Sequence, residues 1–111
     1  MMPEPRGGAR WMSCEMDRYV TEKDFQRAIM DFATLCGWFV YHTFDSRDSA
    51  AGFPDCIFVR QSRVVALEVK RESGKPTAAQ LEWIAALDAV PGITARVVKP
   101  SNWSEIERLL R

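Results

Sequence analysis

Hydrophobic positions in this chain switch between helical and extended spacing, with glycine, proline or polar residues at the changes. Phe25, Ile29, Phe32, Ala33 and Cys36 recur at helical spacing. Thr21 with Asp24 three residues on resembles a capping box, and Gly37 is a natural stop. A helix is therefore predicted from Thr21 to the Gly37 region. Residues 38–44 alternate as a strand, with Trp38, Val40, His42 and Phe44 on one face. Residues 45–52 form a polar, serine-rich loop. Two short apolar runs follow, 56–59 and 64–67, joined by Arg60-Gln61-Ser62-Arg63, which is short enough for a hairpin. After a loop at 72–76, Thr77 and Gln80 make a second capping-box match, followed by apolar Leu81, Ile84, Ala85 and Leu87. Pro91-Gly92 ends that helix. Residues 93–98 read as a last strand, and 102–111 as a short helix capped by Asn102 or Ser104.

The order α-β-β-β-α-β-α predicts an α/β fold, a mixed central sheet flanked by helices. Residues 1–18 lack periodicity and carry Pro3, Pro5, Gly7 and Gly8, so they read as a flexible tail ahead of one domain over 19–111. Met12 and Met16 lie just before that domain, and a translation start downstream of Met1 is expected.

The hairpin carries the candidate chemistry. If Gln61 and Ser62 form its loop, Arg60 pairs with Arg63, and counting back sets Asp55 across from Glu68. Glu68 and Lys70 then project to one face, with Val69 on the other. Like charges directly opposite destabilise a sheet, so a cation between Asp55 and Glu68 is expected, and a divalent metal is the simplest. Each residue also has a plainer reading. Asp55 after Pro54 suits a turn. Glu68 lies in an otherwise apolar run, where a lone carboxylate is costly, and a salt bridge to Lys70 or Arg71 is the structural alternative. Lys70 could simply reach solvent at a strand end. Glu22 is an acid in a first helical turn, favoured there whatever the function. Gln80 is accounted for as the partner of Thr77.

Pro54-Asp55 followed by Glu68-x-Lys70 resembles the PD-(D/E)XK nuclease superfamily. Thr21-Glu22, Gln26, the serine-rich run into Gly52-Phe53-Pro54-Asp55, and Gln80 narrow the resemblance to the VRR-NUC (virus-type replication-repair nuclease) family of phage, bacterial and eukaryotic modules. It spans about Val20 to Trp103. The resemblance implies a restriction-endonuclease-like core and a Mg2+- or Mn2+-dependent DNA endonuclease. In that reading Asp55, Glu68 and the Val69 carbonyl bind the metal, with Glu22 an outer ligand. Lys70 orients the attacking water, and Gln80 lies near the lysine and the scissile phosphate. It further implies branched or junction DNA as substrate, a 5′-phosphate and 3′-hydroxyl as products, a homodimer, and no small-molecule cofactor. Arg47, Arg71 and Lys75 are the candidate nucleic-acid contacts. The alternatives are a non-catalytic module that binds nucleic acid or recruits a partner, and an RNA or single-strand nuclease. Nothing in the sequence reads a 2′-hydroxyl or offers an obvious stacking platform.

Composition bounds these readings. At 111 residues the chain builds one modest core. No apolar run approaches the roughly 18 residues of a membrane span, and no apolar signal core opens the chain, so a cytoplasmic protein is expected. Cys14, Cys36 and Cys56 are odd in number and lack C-x-x-C spacing, which argues for reduced thiols and against a cysteine zinc site. Fifteen basic and 15 acidic residues cancel, which is awkward for a protein whose affinity for duplexes would come from phosphate neutralisation, so nucleic-acid binding should be modest and salt-sensitive. Arg60, Arg63, Lys70, Arg71 and Lys75 nevertheless gather around the candidate site in sequence. His42 reads as a half-buried strand residue rather than a general base, and Trp11, Trp83 and Trp103 as packing or interface residues.

Overall fold

The computed structural model describes residues 17–43 and 50–111. A short 3-10 turn at Asp17–Tyr19 buries Asp17 and leads into α1, Glu22–Leu35. The turn takes in Asp17 and Arg18, which the sequence assigns to the tail. Thr21 caps α1 by accepting from the Asp24 N–H at 3.1 Å, and Gly37 takes the left-handed φ of +86° expected of a helix stop. The chain then forms β1, Phe39–His42, β2, Cys56–Arg60, and β3, Arg63–Val69. Helix α2, Ala78–Asp88, strand β4, Ile93–Val98, a 3-10 turn at Pro100–Asn102 and α3, Trp103–Leu110, complete it. This is the expected α-β-β-β-α-β-α order.

The four strands lie in sequence order in one mixed sheet, antiparallel from β1 to β3 and parallel between β3 and β4. Gln61 and Ser62 both have positive φ, 48° and 66°, the two-residue hairpin geometry that matches strand twist. Arg60 pairs with Arg63 and Cys56 with Leu67, as the two-residue loop requires.

One face of the sheet carries the main core. Phe25, Ala28, Ile29 and Ala33 of α1 and Trp103, Ile106 and Leu110 of α3 pack on Cys56, Phe58, Val65, Leu67, Val69 and Val98. Trp38 is buried there and donates its indole N–H to the Leu110 carbonyl at 2.7 Å. Helix α2 packs on β3 and β4 from the other side. None of its residues is fully buried: Trp83, Ile84 and Leu87 are half-covered, while Leu81 and Ala85, expected on the apolar face, are exposed. Among the described residues no helix is long and apolar enough to cross a membrane.

Two local expectations change. Asn102 does not cap α3 with its side chain; its Oδ1 turns back to accept from the Lys99 N–H at 2.9 Å, closing the 3-10 turn instead. Ser104 lies inside the helix. Phe44 and most of the serine-rich loop, with Ser46, Arg47 and Ser49, lie outside the described residues, as do Trp11, Met12, Cys14 and Met16.

Candidate active site

The site forms where β2 and β3 end together. Cys56 and Leu67 are the last paired residues of the hairpin, so one step further brings Asp55 beside Glu68. Asp55 does not continue the ladder. Its Oδ2 accepts from the Val69 N–H at 2.9 Å, while its own carbonyl accepts from Thr43 N–H at 3.0 Å. Lys70 N–H bonds to Val98 on the opposite side of β3. The N–H and C=O of one strand residue point to the same side, so the Val69 carbonyl faces Asp55.

Glu68 is 1% exposed and follows the aliphatic run Val64 to Leu67 of β3. Its Oε2 lies 3.5 Å from Lys70 Nζ and accepts from Gln80 Nε2 at 3.2 Å. Its Oε1 is buried with no donor among the described residues. Burial pushes the Glu68 carboxyl up to about 8, reinforced by a hydrogen bond to Asp55 and by its charge and opposed by Lys70. Lys70 and Gln80 both meet Oε2, which leaves Oε1 without a compensating donor or cation among the described residues. The Cys56 thiol is pushed up to about 12 by burial and then by Asp55 and Glu68, so it stays a neutral core group.

Gln80 holds two partners at once. Its Oε1 accepts from the Thr77 N–H at 2.8 Å, completing the reciprocal cap, and its Nε2 reaches Glu68. The capping reading of Gln80 is realised, and the same side chain also reaches Glu68, because an amide has separate donor and acceptor ends. Gly52 brings this helix end against the Asp55 turn. A Cβ at Gly52 would lie 2.5 Å from the Ala79 carbonyl carbon and 2.7 Å from the Gln80 nitrogen, and its φ is +86°. Phe53 packs edge-on against Trp83 of α2, ring centres 5.1 Å apart, and Pro54 is fully buried. The loop-to-helix contact made by Gly52 had no local signal beyond the glycine itself.

Asp55, Glu68, Val69, Lys70 and Gln80 thus converge. Glu22 does not join them: it is exposed and borders a cleft of about 580 Å³ with Gln26 and His42. Among the described residues no three His, Cys, Asp or Glu side chains converge. Arg71 is exposed and shares a depression with Arg18, Glu22 and Ser73, and Lys75 is exposed in the loop before α2. Arg47 lies outside the described residues. Arg60 and Arg63 are not at the site. They sit at the opposite end of the hairpin, five residues and roughly 17 Å away along the strand. There Arg60 donates to the carbonyls of Cys36 and Arg111, and both guanidinium groups lie over the Trp38 ring.

The donor set can be tested against a divalent ion. Two carboxylates and a main-chain carbonyl are hard oxygen ligands suited to Mg2+ or Mn2+, and the undonated Glu68 Oε1 is an acceptor in need of a positive charge. The residues fit such an ion. No family model matches this sequence, and no curated protein matches it.

Proposed function

We propose that this protein is a Mg2+- or Mn2+-dependent phosphodiesterase, a DNA endonuclease of the VRR-NUC type suggested by its sequence motifs. The observation that carries the reading is the meeting of Asp55 and Glu68 at a buried strand end, beside Lys70, with Glu68 Oε1 undonated. Binding a partner or a nucleic acid does not require such a pair, and keeping the buried Glu68 carboxylate beside Asp55 is costly.

Asp55, Glu68 and the Val69 carbonyl would hold the ion, which when bound supplies Lewis-acid polarisation of a phosphoryl oxygen and a more acidic water. Lys70, 3.5 Å from Glu68 Oε2, would orient an attacking water and offset charge on a phosphate oxygen. Gln80 keeps the Glu68 carboxylate in one orientation. The side chain of Lys70 is only 15% exposed, so its charge is weakly screened.

Substrate and assembly follow from the sequence resemblance: branched or junction DNA, cut by a homodimer whose two sites match the symmetry of the junction. The tryptophans lend the dimer little support, since Trp38 and Trp103 are core residues. Incubating the protein with labelled junction, duplex, single-stranded DNA and RNA in Mg2+, Mn2+ and EDTA tests the reading. Metal-dependent cutting lost in Asp55→Ala supports it, and absence of cutting on every substrate overturns it. Light scattering tests the dimer.

A further inference from the structure

Among the described residues, the half of the sheet that α2 does not cover continues directly from the site. By strand alternation Asp55, Ile57 and Val59 share one face of β2, and Glu68, Ala66 and Val64 the same face of β3. Tyr41 pairs with Ile57 and Phe39 with Val59, so the two aromatic side chains extend this face onto the edge strand β1. Their neighbours Trp38 and Val40 point the other way, into the core. Phe39 is 81% exposed and Tyr41 61%. Helix α2 sits over β3 and β4, and α1 and α3 occupy the opposite face. Phe39, Tyr41 and Val59 thus form a contiguous exposed apolar surface beside the site, of a kind common at binding sites.

We propose that Phe39 and Tyr41, with Ile57 and Val59 beside them, form a stacking platform for unpaired bases of a nucleic-acid strand whose backbone runs into the Asp55–Glu68–Lys70 site. This rests on the phosphodiesterase reading and adds to it a substrate feature, a single-stranded stretch beside the cleaved bond. Three observations favour this occupant over a protein. The platform shares its face with the carboxylates, so a strand bound at one reaches the other. Residues two apart in a strand are about 7 Å apart, which suits successive bases of an extended strand. At the distal end Phe39 and Val59 border a depression with Arg60 and Gln61, but the guanidinium groups of Arg60 and Arg63 are held over Trp38 on the other face, so this end offers base faces more than phosphate contacts. Stacking is sequence-tolerant, and four-stranded RNA-binding sheets hold unpaired bases on exposed aromatics in the same way. It also gives a chain of zero net charge an affinity that phosphate neutralisation alone would not.

Fluorescence anisotropy with a labelled oligothymidylate and a blunt duplex, both in EDTA, tests the proposal without relying on cleavage. Phe39→Ala and Tyr41→Ala should each weaken single-strand binding about tenfold and leave duplex binding unchanged, while Phe39→Tyr and Tyr41→Phe bind as wild type. Unchanged single-strand affinity in both alanine variants overturns the platform. So does loss of a dimer in sedimentation with oligonucleotide affinity intact, which assigns the surface to a second copy of the chain. Cleavage of duplex and junction DNA in Mn2+ separates the two readings. Wild type that binds through the aromatics and never cuts overturns the nuclease alone, and wild type that cuts while the alanine variants bind normally overturns the platform alone.

Discussion

Gln80 donates through Nε2 to Glu68 Oε2 at 3.2 Å while its Oε1 caps Thr77 at 2.8 Å, so one side chain ties the start of α2 to the buried carboxylate. Glutamate at this position retains the capping oxygen and loses the donor. Gln80→Glu should keep its helix content by circular dichroism and cut DNA at least about tenfold more slowly, since about 1.4 kcal/mol of barrier is a factor of ten. Cutting at the wild-type rate would limit Gln80 to its capping role.

Lys70 and the carboxylates should separate in function. Lys70→Ala is expected to bind Mn2+ in calorimetric titration and to lose about 100-fold or more in cleavage, the usual cost of removing one charge-stabilising donor. Asp55→Ala should lose Mn2+ binding as well as cleavage. A purified Lys70→Ala protein that cuts normally would sink the mechanism.

The raised carboxyl of Glu68 predicts the pH dependence of the metal-free fold. Its folded value of about 8 lies above the ordinary 4.5, so between these values the folded state binds more protons than the unfolded chain. The contribution of Glu68 to stability is thus fully present below about pH 4.5 and is lost as pH rises through about 8. Urea midpoints in EDTA should fall from pH 5 to pH 9 more steeply for wild type than for Glu68→Gln. Added Mn2+ should restore wild type at pH 8. Parallel pH curves for the two proteins would remove Glu68 as the titrating group.

Gly52 tolerates no side chain. Gly52→Ala places a methyl group 2.5 Å from backbone at a left-handed φ, and should cost at least about 1 kcal/mol of stability. Because the displaced backbone is that of Ala79 and Gln80, cleavage should fall too. A variant with unchanged melting temperature and activity would show that the loop-to-α2 contact is dispensable.

Ser62 stands in the left-handed region at φ 66°, where a non-glycine residue costs about 1–2 kcal/mol. Ser62→Gly should therefore stabilise the fold by about 1 kcal/mol, a rise of roughly 4–8 °C in a domain of this size. Cleavage should not change, since the turn lies at the far end of the hairpin. A lower melting temperature would contradict the turn geometry.

The periodicity of apolar positions, two threonine caps and a two-residue turn determined the order of elements, the hairpin register and the adjacency of Asp55 and Glu68. These are short-range matters: helix and strand spacing repeat within a few residues, and a hairpin loop sets the pairing of everything that follows it. Gln80 was legible as a cap for the same reason. The structure alone decided what depends on how elements pack. It separated Arg60 and Arg63 from the site by the length of the hairpin, although they are close to it in sequence. It left Leu81 and Ala85 exposed, because α2 lies across β3 and β4 on a sheet whose main core is on the other side. It also set Gly52 against Ala79 and uncovered Phe39 and Tyr41. Alternation already put these two aromatics opposite Trp38 and Val40. Whether that face met a helix or solvent depended on where α2 crossed the sheet, which no local pattern encodes.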